Sequence, residues 1–138
     1  MSHSIRQSAK TLAMLAVTLL GTACGQAPSA TAADAGNGLT ISFRTLDEPA
    51  KGANEIEAVV EQDGKPVTDA TVAVTFRMPA MPNMNMPEMH STVPLTHERD
   101  GRYVGTGQLE MAGSWNVTVA VSRNGAQVGS ARFSVQAK

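Results

Sequence analysis

Apolar side chains recur at every second position through most of the chain after residue 38, which is the period of a strand with one buried face. "LTISF" (39–43) places Leu39, Ile41 and Phe43 on one side, and "EIEAVVEQ" (55–62) follows as a second strand. "TVAVTFRM" (71–78) puts Val72, Val74, Phe76 and Met78 on one face and Ala73, Thr75 and Arg77 on the other. "STVPLT" (91–96) is a short strand whose Pro94 suits a sheet edge. "YVGTGQLEM" (103–111), "WNVTVAVS" (115–122) and "VGSARFSV" (128–135) complete the set, with Trp115, Val117, Val119, Val121, Phe133 and Val135 as core. Asp63-Gly64, Asp100-Gly101 and Asn124-Gly125 fall between these runs and signal tight hairpin turns. About seven short strands, regularly spaced turns and no helical stripe predict an all-β, immunoglobulin-like antiparallel β-sandwich.

The first 37 residues do not share this pattern. Arg6 and Lys10 precede the apolar run "TLAMLAVTLL" (11–20), and small residues lead to Cys24, so residues 1–24 read as an export signal. The run is about half the length that spans a bilayer. "LLGTAC" (19–24) resembles the lipobox of bacterial lipoproteins, with Gly21 where leucine is more usual. That resemblance implies lipidation at Cys24 and a membrane anchor; the alternative is ordinary signal cleavage and a soluble exported protein. A lone thiol in an exported chain favours the anchor. Residues 25–37, "GQAPSATAADAGN", read as a flexible linker, leaving 38–138 as the folded domain, facing the periplasm or soluble within it.

Composition then removes several function classes. Cys24 is the only cysteine, so a chain in which it is lipidated or cleaved away keeps no free thiol for a disulfide, a thiolate nucleophile or a blue-copper ligand set. Loss of Arg6 and Lys10 leaves nine basic residues against twelve acidic ones, and no basic cluster points to nucleic acid. No nucleophile elbow or phosphate-cradling glycine loop is present, and the reading is of a non-enzyme. His90 and His97 with Glu88 or Asp100 have no zinc-site spacing. His97, ahead of the "ERDGR" turn, reads as an exposed loop residue.

One stretch is unlike the rest. "RMPAMPNMNMPEMH" (77–90) holds five methionines, three prolines and a histidine in fourteen positions. Met78 continues the core face of its strand, and Met111 reads as a second core methionine. Pro79, Pro82 and Pro87 deny the remainder ladder donors, which predicts an extended, irregular surface loop. Met81, Met84, Met86 and Met89 then gain little from burial. Thioether is a soft, neutral donor that favours Cu(I) and needs no deprotonation. Met84, Met86, Met89 and His90, assisted by Met81, are the candidate ligands, on the expectation that Met84 and Met86 share a side and Met89-His90 folds back over Pro87. The competing reading is an apolar loop that docks on an envelope partner protein such as an efflux or assembly component.

On "VAVTFRMPAMPNMNMP" (72–87), "DGRYVGTGQLEMAGSWNVTVAV" (100–121) and "FSV" (133–135), residues 40–138 resemble the YtkA-like and FixH-like family of small exported bacterial domains. They are also broadly similar to CopC-type periplasmic copper proteins. The resemblance implies an immunoglobulin-like fold, export or lipid anchoring, and an association with heavy-metal handling. The His and Met spacing does not fit the PCuAC-type copper-chaperone motif, so that mechanism is not carried over.

Overall fold

The computed structural model of the protein describes residues 30–138; the stretch 1–24 read as an export signal, with Cys24, lies outside the described residues. Its strands are β1 (Thr31–Asp34), β2 (Leu39–Thr45), β3 (Gly52–Gln62), β4 (Lys65–Pro66), β5 (Thr71–Met78), β6 (Met89–Arg99), β7 (Arg102–Leu109), β8 (Gly113–Arg123) and β9 (Ala126–Ala137). All pair antiparallel, in the order β1-β2-β3-β7-β6-β5-β8-β9, with β4 on β3. The result is an all-β sandwich, almost closed into a barrel.

Alternation along the strands explains the layers. Leu39, Ile41 and Phe43 of β2, Ile56, Ala58 and Val60 of β3, and Tyr103 and Leu109 of β7 are buried from one sheet. Val72, Val74, Phe76 and Met78 of β5 and Trp115, Val117, Val119 and Val121 of β8 are buried from the other. Phe43 joins the two, meeting the Phe76 ring edge-on at 6.4 Å and stacking on Phe133 at 5.6 Å. Val135, expected in the core, is only half-buried.

β6 belongs to both sheets. It pairs with β5 through Leu95 and with β7 from Thr96. Pro94 sits just before the change, where a missing N–H leaves no ladder donor unpaired, and the first half of β6 has β5 as its one partner among the described residues, leaving its other edge free of them. Gly105 makes the crossing possible, because a Cβ there would lie 2.7 Å from Leu95 Cδ2.

Three expectations are corrected. The sheet starts at Thr31, within the stretch 25–37 read as a linker, because β1 pairs with β2 from Thr31↔Phe43 to Asp34↔Thr40. With the two-residue β4, this gives nine strands among the described residues in place of about seven. His97 is a half-buried β6 residue opposite Tyr103, their rings 5.0 Å apart, and its Nε2 is buried without a partner. Tyr103 is better served: its hydroxyl donates to the Val67 carbonyl (2.8 Å) and accepts from Ala70 N (3.2 Å).

On the outer face of β3, Glu57 is covered by Arg44 of β2 (2.9 Å) and Arg102 of β7, and Arg102 also holds Glu98 at 2.5 Å. Burial by itself would push the Glu57 carboxyl up, but the two guanidinium groups outweigh it and hold the group below its ordinary value of 4.5. A depressed folded-state value means stabilisation that is present above pH 4.5 and lost as pH falls through the folded value. Glu57→Gln should therefore lower the unfolding free energy at pH 7 by about 1–3 kcal/mol. Urea denaturation at a series of pH values should show that gap closing below the ordinary glutamate range; a gap unchanged in acid would contradict the assignment.

Candidate functional site: a methionine hairpin

Pro79 ends β5, because it offers no N–H to continue the ladder. The chain nevertheless stays beside its partner. Met78 pairs with Met89, and three residues further out on each arm Met81 pairs with Met86, so the register is kept across the proline-interrupted steps. Met81 N donates to Met86 O (2.9 Å) and Met86 N to Met81 O (3.2 Å). The tip is a 3-10 turn, Pro82–Met84, closed by Met84 N to Met81 O (3.0 Å) and Asn85 N to Pro82 O (3.0 Å). Asn85 takes the left-handed conformation (φ 54°, ψ 37°), which its short polar side chain tolerates.

The segment is thus a closed hairpin and not the extended, irregular loop expected from its prolines. The prolines do keep residues 79–80 and 87–88 out of the sheet, but paired backbone carries on at 81 and 86. Strand β6 also begins earlier than Ser91, since Met89 and His90 pair with Met78 and Arg77.

That pairing decides where the candidate ligands stand. Met81 and Met86 are a directly opposed, doubly hydrogen-bonded pair, the placement in which Cβ atoms sit about 5 Å apart. Sulfurs sharing one ion need about 4 Å, given metal–sulfur bonds near 2.3 Å, so two long thioethers from these positions can meet. Met84, at the tip, is 64% exposed and forgoes most of the roughly 1.5–3 kcal/mol that burying such a side chain returns. Met81 and Met89 are half-buried against the core, and Met86 is half-buried. His90 stands apart: as the next strand residue after Met89 it faces the other way, exposed beside Arg77. Met84 and Met86 do not share an extended side, because the 3-10 turn and the left-handed Asn85 intervene.

Met78 is buried, as its strand period required. Met111 joins this end of the sandwich from the β7–β8 connection. It is half-buried against the core, its carbonyl accepts the Trp115 indole N–H at 3.0 Å, and a Cβ on nearby Gly113 would lie 3.0 Å from Met78 Cε. Its tertiary position could not be read from its single occurrence after a strand.

The hairpin's outer side is ionic. Arg77 donates to Glu88 Oε2 at 2.6 Å. That hydrogen bond holds the Glu88 carboxyl below the ordinary range against a smaller opposing effect of desolvation, and raises the Arg77 guanidinium. Among the described residues, no group of three or more His, Cys, Asp and Glu is placed to hold a metal ion, so a zinc site built on His90 and His97 has no geometric support.

These features define a small antiparallel β-sandwich that carries a backbone-paired methionine hairpin at the outer half of its sheet-switching strand. The chain belongs to the YtkA-like family, whose model matches residues 33–120. The match spans the hairpin, β1 from its third residue, and most of β8. It bears on the YtkA-like part of the resemblance and not on likeness to CopC-type proteins. No curated protein matches the chain.

Replacing Asn85 by Val puts a β-branched residue at a positive φ, at a cost of about 1–2 kcal/mol. Amide exchange at Met84 and Met86 should then accelerate by about 5–30-fold while the global urea midpoint barely moves, since the tip unfolds locally. Asn85→Gly should leave the exchange nearly unchanged; equal effects of both variants would show that Asn85 does not set the turn.

Proposed function

We propose that this protein is a non-enzymatic Cu(I)-binding protein of the cell envelope that buffers copper or passes it to a partner. The observation that carries the proposal is the opposed pair Met81 and Met86, set in register by the hairpin's own backbone, with Met84 displayed at its tip. Met81 and Met86 form the nucleus of the ligand set and Met84 and Met89 complete it. His90 enters only if the start of β6 reorganises, since it faces away from Met89. Neutral donors release a soft cation one at a time, so the ion can pass to an acceptor's ligands without any proton leaving the site. The export signal and Cys24 read from the sequence give the envelope location, and membership of the YtkA-like family is consistent with it.

The exposure of Met84 supports a second reading, an accessory module whose apolar hairpin tip seats in an envelope partner. Sulfur separates the two. Titration with Cu(I) against a competing chelator should show binding that falls by at least about tenfold, or 1.4 kcal/mol, in Met86→Leu and is abolished when Met81, Met84, Met86 and Met89 are all leucine. His90→Ala should change it by much less. Unchanged Cu(I) binding in the four-leucine variant would sink the metal reading, and retained capture of a partner by that variant would favour the docking one.

A further inference from the structure

The outer face of the β6-β5-β8-β9 sheet differs in charge from that of the other sheet. The outward positions of β5 (Thr71, Ala73, Thr75, Arg77), β8 (Ser114 to Ser122) and β9 (Ser130 to Gln136) include no carboxylate. The opposite sheet carries Glu55, Glu57 and Glu61 on β3 alone. On the acid-free face the register sets Arg77 beside Asn116, and Thr75 beside Thr118, which in turn lies beside Arg132. The two arginines thus flank β8 on a diagonal, their Cα atoms about 12 Å apart by strand spacing and rise.

Both arginines line one cleft of about 560 Å³, together with Thr75, Asn116 and Thr118. Arg132 has no carboxylate partner among the described residues. Arg77 has one, Glu88, engaged through Nη2. Between the two guanidinium groups stand two hydroxyls and an amide, all able to donate. Thr75 Oγ1 already shares a hydrogen bond of 3.0 Å with Thr92 Oγ1. A planar fork on each side with neutral donors between them is a donor set for a tetrahedral oxyanion, which arginine holds through paired N–H bonds.

We propose that this cleft is a binding site for a phosphate group, taken either as a free phosphate or as the headgroup of an anionic phospholipid. Arg132 is the principal ligand, Arg77 the second, and Thr118 and Asn116 orient the oxygens. Glu88 competes with the anion for Arg77. The site lies on the sheet face, while the methionine pair lies at the hairpin tip, so the proposal does not rest on the copper reading.

The test is a titration of the ¹⁵N-labelled full chain with inorganic phosphate, followed through the amide signals of Asn116, Thr118 and Arg132. Parallel sedimentation uses vesicles of phosphatidylglycerol or of phosphatidylcholine. Saturable shifts are expected, weakened about tenfold by Arg132→Gln and several-fold by Thr118→Val, which keeps a strand-forming residue. Glu88→Gln should tighten binding by releasing Arg77, a result that a merely structural role for these residues would not give. Saturation by phosphate without vesicle capture assigns a free phosphate. Capture by phosphatidylglycerol alone, reversed by phosphate and reduced by Arg132→Gln, assigns a headgroup. Shifts that stay linear to about 50 mM phosphate with no Arg132-dependent vesicle capture, or binding indifferent to Arg132→Gln, would overturn the proposal.

Discussion

The crossing of β6 from one sheet to the other is the constraint on which the rest of the architecture depends. The two layers are joined on this side by one continuous strand, so β5 and β7 are held at a fixed separation by the short step from Leu95 to Thr96. Close approach there needs an absence of atoms on β7, which Gly105 supplies, and an absence of a donor on β6, which Pro94 supplies. The part of β6 before that step has no ladder to β7 and, among the described residues, pairs only with β5. The hairpin is therefore not an insertion in a loop; it is the outward continuation of a strand that has already left one of its partners.

Electrostatics divide the molecule along the same lines. In the sheet that includes β3, acids and arginines pair across neighbouring strands, and Glu57 is buried only because Arg44 and Arg102 meet it from both sides. In the sheet that includes β5, the outward positions of β5, β8 and β9 hold neutral side chains and the two arginines Arg77 and Arg132, and Glu88, which pairs with Arg77, sits at the root of the hairpin. The first arrangement sets carboxylates and guanidinium groups side by side around Glu57, whereas the second holds Arg132, which has no carboxylate partner among the described residues. A chain whose formal charge is only −1 thus presents two faces of different character, and an averaged composition conceals both.

Much of this was legible because a strand's period is short and strict. Val72, Val74, Phe76 and Met78 announce β5 to its last residue, and the three Asx-Gly turns take the left-handed pair of conformations that those residues tolerate. What escaped the sequence depended on partners. β1 is four small or polar residues with no alternation of their own, and only the ladder to β2 makes them a strand. His97 is placed by Tyr103, not by its polar neighbours. The prolines were read correctly as interrupting the ladder, but interruption is local. The register of Met78 with Met89 carries over two unpaired steps to Met81 and Met86, and a pattern read along one strand cannot reveal what stands opposite it.

The free edge also explains why methionine and proline occur together. A strand end with unpaired backbone groups invites pairing with another chain, and proteins blunt such edges with prolines and charges. Pro79, Pro82 and Pro87 in the hairpin, Pro94 behind it and the Arg77–Glu88 ion pair on its outer side meet that need. They leave Met84 exposed, so the hairpin presents the sulfur at its tip while its prolines shorten the ladder that another chain could extend. Leucine at the same positions would supply a similar apolar surface with fixed branching and no donor atom. A thioether on a flexible stem, held on a hydrogen-bonded backbone, combines adjustable reach with a defined origin. That combination is what the proposed Cu(I) site would require of its ligands.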